Sequence, residues 1–168
     1  HLKFTLGSGD EQTVLLGHFD TVWDEGELVM REEDGKLYGP GVLDMKAGLV
    51  QAIWAVRALQ QHGLLAGKRT VLLCGSDEEV GSPSSSAWLS QHALGSAQVL
   101  VVEPAVAGSG ALKTARKGTG QYEITLNGLA AHAGNNPAEG ISAVQEMAHQ
   151  IMFLHSLNAP ERGTTVNV

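Results

Sequence analysis

The side chains that could do chemistry cluster just after apolar runs. In "GHFD", His18 and Asp20 stand two residues apart, so in extended backbone both point the same way. An imidazole that binds a metal usually gives its other N–H to a carboxylate, which fixes tautomer and direction, and Asp20 is spaced for that part. In "SDEEVGS", Glu78 and Glu79 follow Asp77 directly. Neighbours on a regular strand face opposite ways, but in a turn they can bracket an ion from two directions. One carboxylate then ligates while the other takes a proton from an activated water, the division of labour of metal-assisted hydrolysis. Asp44 in "YGPGVLDMKAG" and Glu103 in "VVEP" add two further carboxylates. Read singly, His18 is also a strand-end histidine with one backbone hydrogen bond, and the acidic run is also a solvated turn. Their convergence is what matters.

The elements that must bring them together are short. "TVLLG" (Thr13–Gly17), "TVLLCG" (Thr70–Gly75) and "AQVLVV" (Ala97–Val102) are continuous apolar runs, the pattern of parallel strands buried on both faces. Between the first two, "DMKAGLVQAIWAVRALQQHG" repeats apolar residues near helical spacing, with Asp44 as its cap and Gly63 as its stop. "SPSSSAWLSQHALG" predicts a shorter helix, closed by Gly95. Alternating strands and helices predict an α/β fold with a doubly wound, mostly parallel sheet. Ligands of such sheets bind beyond the carboxyl ends of the strands. His18, Asp20, Glu78, Glu79 and Glu103 all follow strand ends there, and Asp44 starts a helix on the same rim.

After Glu103 the pattern changes. "GQYEITLNG" alternates Tyr122, Ile124 and Leu126 with polar residues, as a strand with one wet face does. "NNPAEGISAVQEMAHQIMFLHSL" predicts a helix with Ile141, Val144, Met147 or Ala148, Ile151 and Leu154 inward, and "TTVNV" is β-like. These divide the chain into a first domain over 1–112 and a smaller αβ domain over 113–168. His132 sits among small residues in "NGLAAHAGNNP", where a substrate or a backbone can come close. His62, His92, His149 and His155 lack any ligand-like context.

Composition sets outer bounds. With 43% hydrophobic residues the chain can bury a core, and a net charge of −7 gives no basic footprint for nucleic acid. The single cysteine, Cys74, excludes an internal disulfide and a cysteine-rich zinc site. No apolar run approaches the roughly 18 residues of a membrane-spanning helix. "GPGVLDM" is a near miss for a dinucleotide loop because Asp44 stands where the third glycine belongs. No P-loop occurs, and no G-x-S-x-G elbow frames the serines of "GSPSSSAW".

Taken in order, "GHFDTV", "YGPGVLDMKAG", "SDEEVGS", "VVEP" and "RKGTGQYEITLNGLAAHAGNNPAEG" resemble the di-zinc metallopeptidase family of glutamate carboxypeptidase, succinyl-diaminopimelate desuccinylase and the aminoacylases. The wording of the first and last motifs is most similar to the glutamate carboxypeptidase branch. The resemblance implies a zinc exopeptidase-like catalytic domain followed by an inserted dimerisation domain. It implies two zinc ions, with cobalt or manganese also admitted by the ligand types. His18 and Glu103 would hold one ion, Asp44 would bridge, and Glu79 would hold the other. Glu78 would be the general base, Asp20 would orient His18, and the Asp44–Met45 peptide would be cis. His132 would reach the site of a partner subunit in a homodimer and stabilise the oxyanion.

The activity implied is hydrolysis of an amide bond beside a free carboxylate, in a small peptide or an N-acyl amino acid. The alternatives are a deacylase or desuccinylase of the same family and an inactive dimerisation or binding module. The family's last ligand, a histidine from beyond the inserted domain, has no counterpart among the seven histidines. The chain is therefore expected to be a fragment, inactive by itself.

Overall fold

A computed structural model describes residues 1–168. The chain divides into two compact units, His1–Lys113 and Thr114–Val168.

The first unit is built on a sheet of β1 (Leu2–Leu6), β2 (Glu11–His18), β5 (Lys68–Gly75) and β6 (Gln98–Val101), in the order β1-β5-β2-β6. β2 runs parallel to both β5 and β6, and only β1 is antiparallel. Thr70–Gly75 of β5 is buried residue after residue, as its unbroken apolar pattern requires. Alternate side chains serve the two faces. Leu72 and Cys74 pack with Leu49 and Ala52 of α1 (Ala47–Gln61). Val71, Leu73 and Val14 pack with Trp88 and Leu89 of α2 (Ser86–Ala93). The helices thus cover opposite faces, as in a doubly wound sheet.

Several local expectations are corrected. β6 was expected to be buried on both faces, yet all its residues are exposed, because it is an edge strand with one neighbour. Asp44 does not cap α1. The chain makes a single wide turn over Val42–Lys46 with non-helical backbone at Asp44 and Met45, and the helix proper begins at Ala47. Gly63 does stop the helix: with φ 67° it lets Leu64 N–H reach Leu59 O and its own N–H reach Gln60 O. Two features were not foreseen, namely β1 and a hairpin of β3 (Arg31–Glu33) and β4 (Lys36–Tyr38). The hairpin turns on Asp34-Gly35, both at positive φ, a combination this dipeptide favours.

The second unit holds α3 (Ala143–Ser156), capped by Ser142 Oγ accepting from Gln145 N–H. The segment "GQYEITLNG" forms no strand ladder. The nearest pairing is the isolated bridge Leu129–Ile141, just past its end. "TTVNV" likewise pairs only through Thr164–Ala159, and the Asn158 side chain holds Val166 from both backbone sides. Neither has a neighbouring strand to bond. The face of α3 expected to be inward is only half-buried at Met147 and Leu154, while Val144 and Ile151 are exposed.

Candidate metal centre

The rim is assembled from four chain segments: the carboxyl ends of β2, β5 and β6, and the Val42–Lys46 turn that precedes α1. His18 is the last residue of β2 and is 2% exposed. It pairs across the ladder with Gly75, and Phe19 N–H continues the ladder to Gly75 O. Its backbone N–H meets the Met45 sulfur at 3.1 Å. Met45 is itself fully buried, and it fits there because residue 17 is glycine. A Cβ at Gly17 would stand 2.7 Å from both Met45 Cε and Leu49 Cδ2. Gly41, at φ 65°, opens the turn that carries Asp44, and Lys46 N–H closes it onto Gly41 O. The Asp44–Met45 peptide is cis.

His18 Nδ1 faces only acceptors: the Asp20 carbonyl oxygen at 3.2 Å and Asp20 Oδ1 at 3.3 Å. The nitrogen must therefore donate, and a neutral ring then presents its Nε2 lone pair. That lone pair faces Asp44 Oδ1 at 3.2 Å and Glu78 Oε2 at 3.9 Å. Acceptors facing one another in this way need a proton or a cation between them. His18, Asp44 and Glu79 each place a donor atom within 4.8 Å of the others, so the group fits a metal ion. Imidazole with carboxylates suits zinc, and also cobalt or manganese.

Asp20 works in two directions. Beside holding His18, its Oδ2 accepts the Glu79 N–H at 3.0 Å, tying the acidic turn to the end of β2. Glu78–Val80 is a tight helical turn closed by Gly81 at φ 89°. Adjacent glutamates can both serve one site here because the backbone is not extended. Burial pushes the Glu78 carboxyl above the usual range. His18 opposes the rise, and Glu103, Glu79 and Asp20 add to it. Glu103 lines a cleft of about 270 Å³ together with His18, Glu78 and Ser85, outside the three-donor group itself.

Two contributors were not recognised in the sequence. Met45 carries no chemical signature; only the glycine at residue 17 hints at a large neighbour. Asp77 is the other. Its Oδ2 accepts from Ser84 N–H and Ser84 Oγ at 2.7 Å and from Ser85 N–H at 3.2 Å, fixing the start of α2 against the acidic turn. The Ser85 hydroxyl beside it, then these Ser84 and Ser85 donors, favour the charged form and hold Asp77 down to about 2.

His132 belongs to the second unit and is exposed. Its Nδ1 accepts from Gly134 N–H and Asn135 N–H, both at 3.1 Å. The proton of the neutral ring is therefore on Nε2, which is left as a donor.

A family model for peptidase family M20/M25/M40 matches residues 14–165. Carboxypeptidase G2 of Pseudomonas sp. (strain RS-16) is 31% identical over 159 residues, covering 93% of this chain and 38% of that protein. The acetylornithine deacetylase of Proteus mirabilis (strain HI4320) is 29% identical over 163 residues, covering 94% of this chain and 41% of that protein. The corresponding enzyme of Edwardsiella ictaluri (strain 93-146) is 30% identical over 167 residues, with coverages of 92% and 42%. The chain thus spans about two-fifths of the length of the curated relatives it matches.

Proposed function

The chain belongs to peptidase family M20/M25/M40, and from that premise we propose that it carries the metal-binding half of a hydrolase that cleaves an amide bond beside a free carboxylate. The observation that carries this reading is the His18 ring, proton-donating towards Asp20 and lone-pair-donating towards Asp44. In this assignment His18 and Glu103 would hold one zinc ion, Glu79 would hold a second, and Asp44 would serve both. When bound, the ions would supply Lewis acidity to a water and to the scissile carbonyl. Glu78 takes the proton from the attacking water oxygen and passes it to the departing amine nitrogen as the C–N bond breaks. Its raised affinity for protons suits it to both transfers. Asp20 keeps the His18 ring in register.

The second unit is assigned to dimerisation, supported by Val144 and Ile151, apolar residues of α3 that are exposed. His132, with its donor on Nε2, is assigned to the oxyanion in a partner subunit's site. The expected substrates are small peptides or N-acyl amino acids with a C-terminal glutamate. Deacylation of N-acetylornithine is a second reading, favoured by the two deacetylase relatives. The 168 residues alone are expected to bind metal without turnover, because the rim supplies one imidazole and the resemblance calls for another.

Elemental analysis after dialysis tests the assignment, comparing the native chain with Glu79→Gln. Zinc retained by the native chain and lost from the variant supports it; equal retention, or none in either, overturns it. The two substrate readings separate on a chimera that adds the C-terminal part of carboxypeptidase G2. Release of glutamate from an N-acylglutamate supports the first, and release of acetate from N-acetylornithine the second.

A further inference from the structure

At the opposite end of the sheet lies a second polar cleft that the metal chemistry does not use. It has a volume of about 430 Å³ and is lined by Lys3 and Thr5 of β1, Gln12 of β2, Arg69 of β5, and Gln91 and His92 of α2. Arg69 pairs with Gln12 near the amino ends of their strands, six ladder positions before the Gly75–His18 pair. At the rise of an extended strand that places the cleft about 20 Å from the metal rim.

Charge here runs against the rest of the molecule. The chain carries −7 overall, yet no aspartate or glutamate lines this cleft. Lys3 and Arg69 make no ion pair. Arg69 Nε is buried and has no acceptor. A buried donor without a partner is costly, and a guanidinium is shaped to give parallel hydrogen bonds to an oxyanion. The surroundings are prepared in the same sense. The Gln12 amide nitrogen is spent on His92 O and Ser96 Oγ, which fixes the end of α2 over the strands. His92 donates from Nδ1 to Trp88 O and lies tilted against the Trp88 ring, with centroids 4.8 Å apart, so its orientation is set.

We infer that this cleft is an oxyanion-binding site, in which Arg69 and Lys3 hold a carboxylate or phosphate group. The inference is independent of the metallohydrolase reading, since no residue is shared between the two sites.

The test is a nuclear magnetic resonance titration of the 168-residue chain, following the Arg69 Nε–Hε signal. Sodium phosphate and sodium glutarate are added in separate arms at constant ionic strength, against sodium chloride. A saturable shift with either anion, absent with chloride, is the expected result, and the stronger arm names the group preferred. Lys3→Gln, on an exposed edge strand, should weaken that binding roughly tenfold, as loss of a charge-assisted contact does. Arg69→Gln should abolish the saturable response in the neighbouring Gln91 and His92 amides. Shifts no larger than those with chloride, or affinity unchanged in Lys3→Gln and Arg69→Gln alike, would falsify the site.

Discussion

His18 Nε2 lies 3.2 Å from Asp44 Oδ1, while the other nitrogen of the same ring is held by the oxygens of Asp20. The ring is thus aimed before any ion arrives. Part of that aim comes from the Asp20 carbonyl oxygen, which no side-chain substitution removes.

Asp20→Ala should therefore weaken zinc binding without abolishing it. Loss of a carboxylate behind a ligating imidazole typically costs 10–100-fold in affinity, and the retained carbonyl contact places the expected loss towards the lower part of that range. Asp44→Asn should lose far more, because in the proposed site Asp44 would contact the ion directly. Competition titration with a chromophoric chelator ranks the two. Equal losses would mean that Asp20 acts as a ligand or that Asp44 does not.

A second prediction concerns acid stability. Asp77 titrates at about 2 in the folded chain, below its ordinary value of 3.8. A depressed carboxyl stabilises the fold above its unfolded pKa, and that contribution fades as pH falls from about 4 through about 2. Asp77→Asn should lower the melting temperature at pH 6 but narrow the gap to the native chain near pH 2.5. Melting curves followed by circular dichroism across that range check it. A constant difference at all pH values would assign Asp77 a purely steric role.

Much of this was readable from the residues, for reasons that also explain the failures. The β5 core and the opposite placement of α1 and α2 follow from unbroken apolar runs between helical periods. The conjunction of His18, Asp44 and Glu79 follows from their positions at strand ends and at one helix start. Periodicity, however, reports which side chains prefer burial and not what is there to bury them. Hence Val99, Leu100 and Val101 of β6 stand exposed at a sheet edge, and Tyr122, 89% exposed, alternates along a segment with no strand beside it. On β1, Lys3 and Thr5 face the second cleft instead of a core. Asp44 has the spacing of a helix cap, yet the wide turn at Val42–Lys46 leaves its carboxylate for the rim.

The α2 side of the sheet depends on Leu73, which is fully buried among Val14, Val71 and partly buried Trp88 and Leu89. Leu73→Ala should cost about 2–5 kcal/mol, the range for truncating a buried leucine that leaves a cavity. Urea unfolding monitored by tryptophan fluorescence provides the value. A change under about 1 kcal/mol would mean that the face collapses onto the gap or was loosely packed to begin with.

Two glycines separate stability from site geometry. A Cβ at Gly48, in the first turn of α1, would stand 1.7 Å from the Val102 carbonyl oxygen. Backbone cannot yield as a side chain does, so Gly48→Ala should push α1 off the end of β6. The expected destabilisation is about 1–3 kcal/mol, despite alanine's better helix propensity. A Cβ at Gly17 meets instead the mobile ends of Met45 and Leu49. These can shift, but Met45 then moves the turn that carries Asp44. Gly17→Ala should therefore lose proportionately more zinc affinity than stability, and Gly48→Ala the reverse. Denaturant unfolding and chelator competition, run on both variants, give the two ratios. If both variants lose stability and affinity in the same proportion, the strand end and the Asp44 turn are not coupled through Met45.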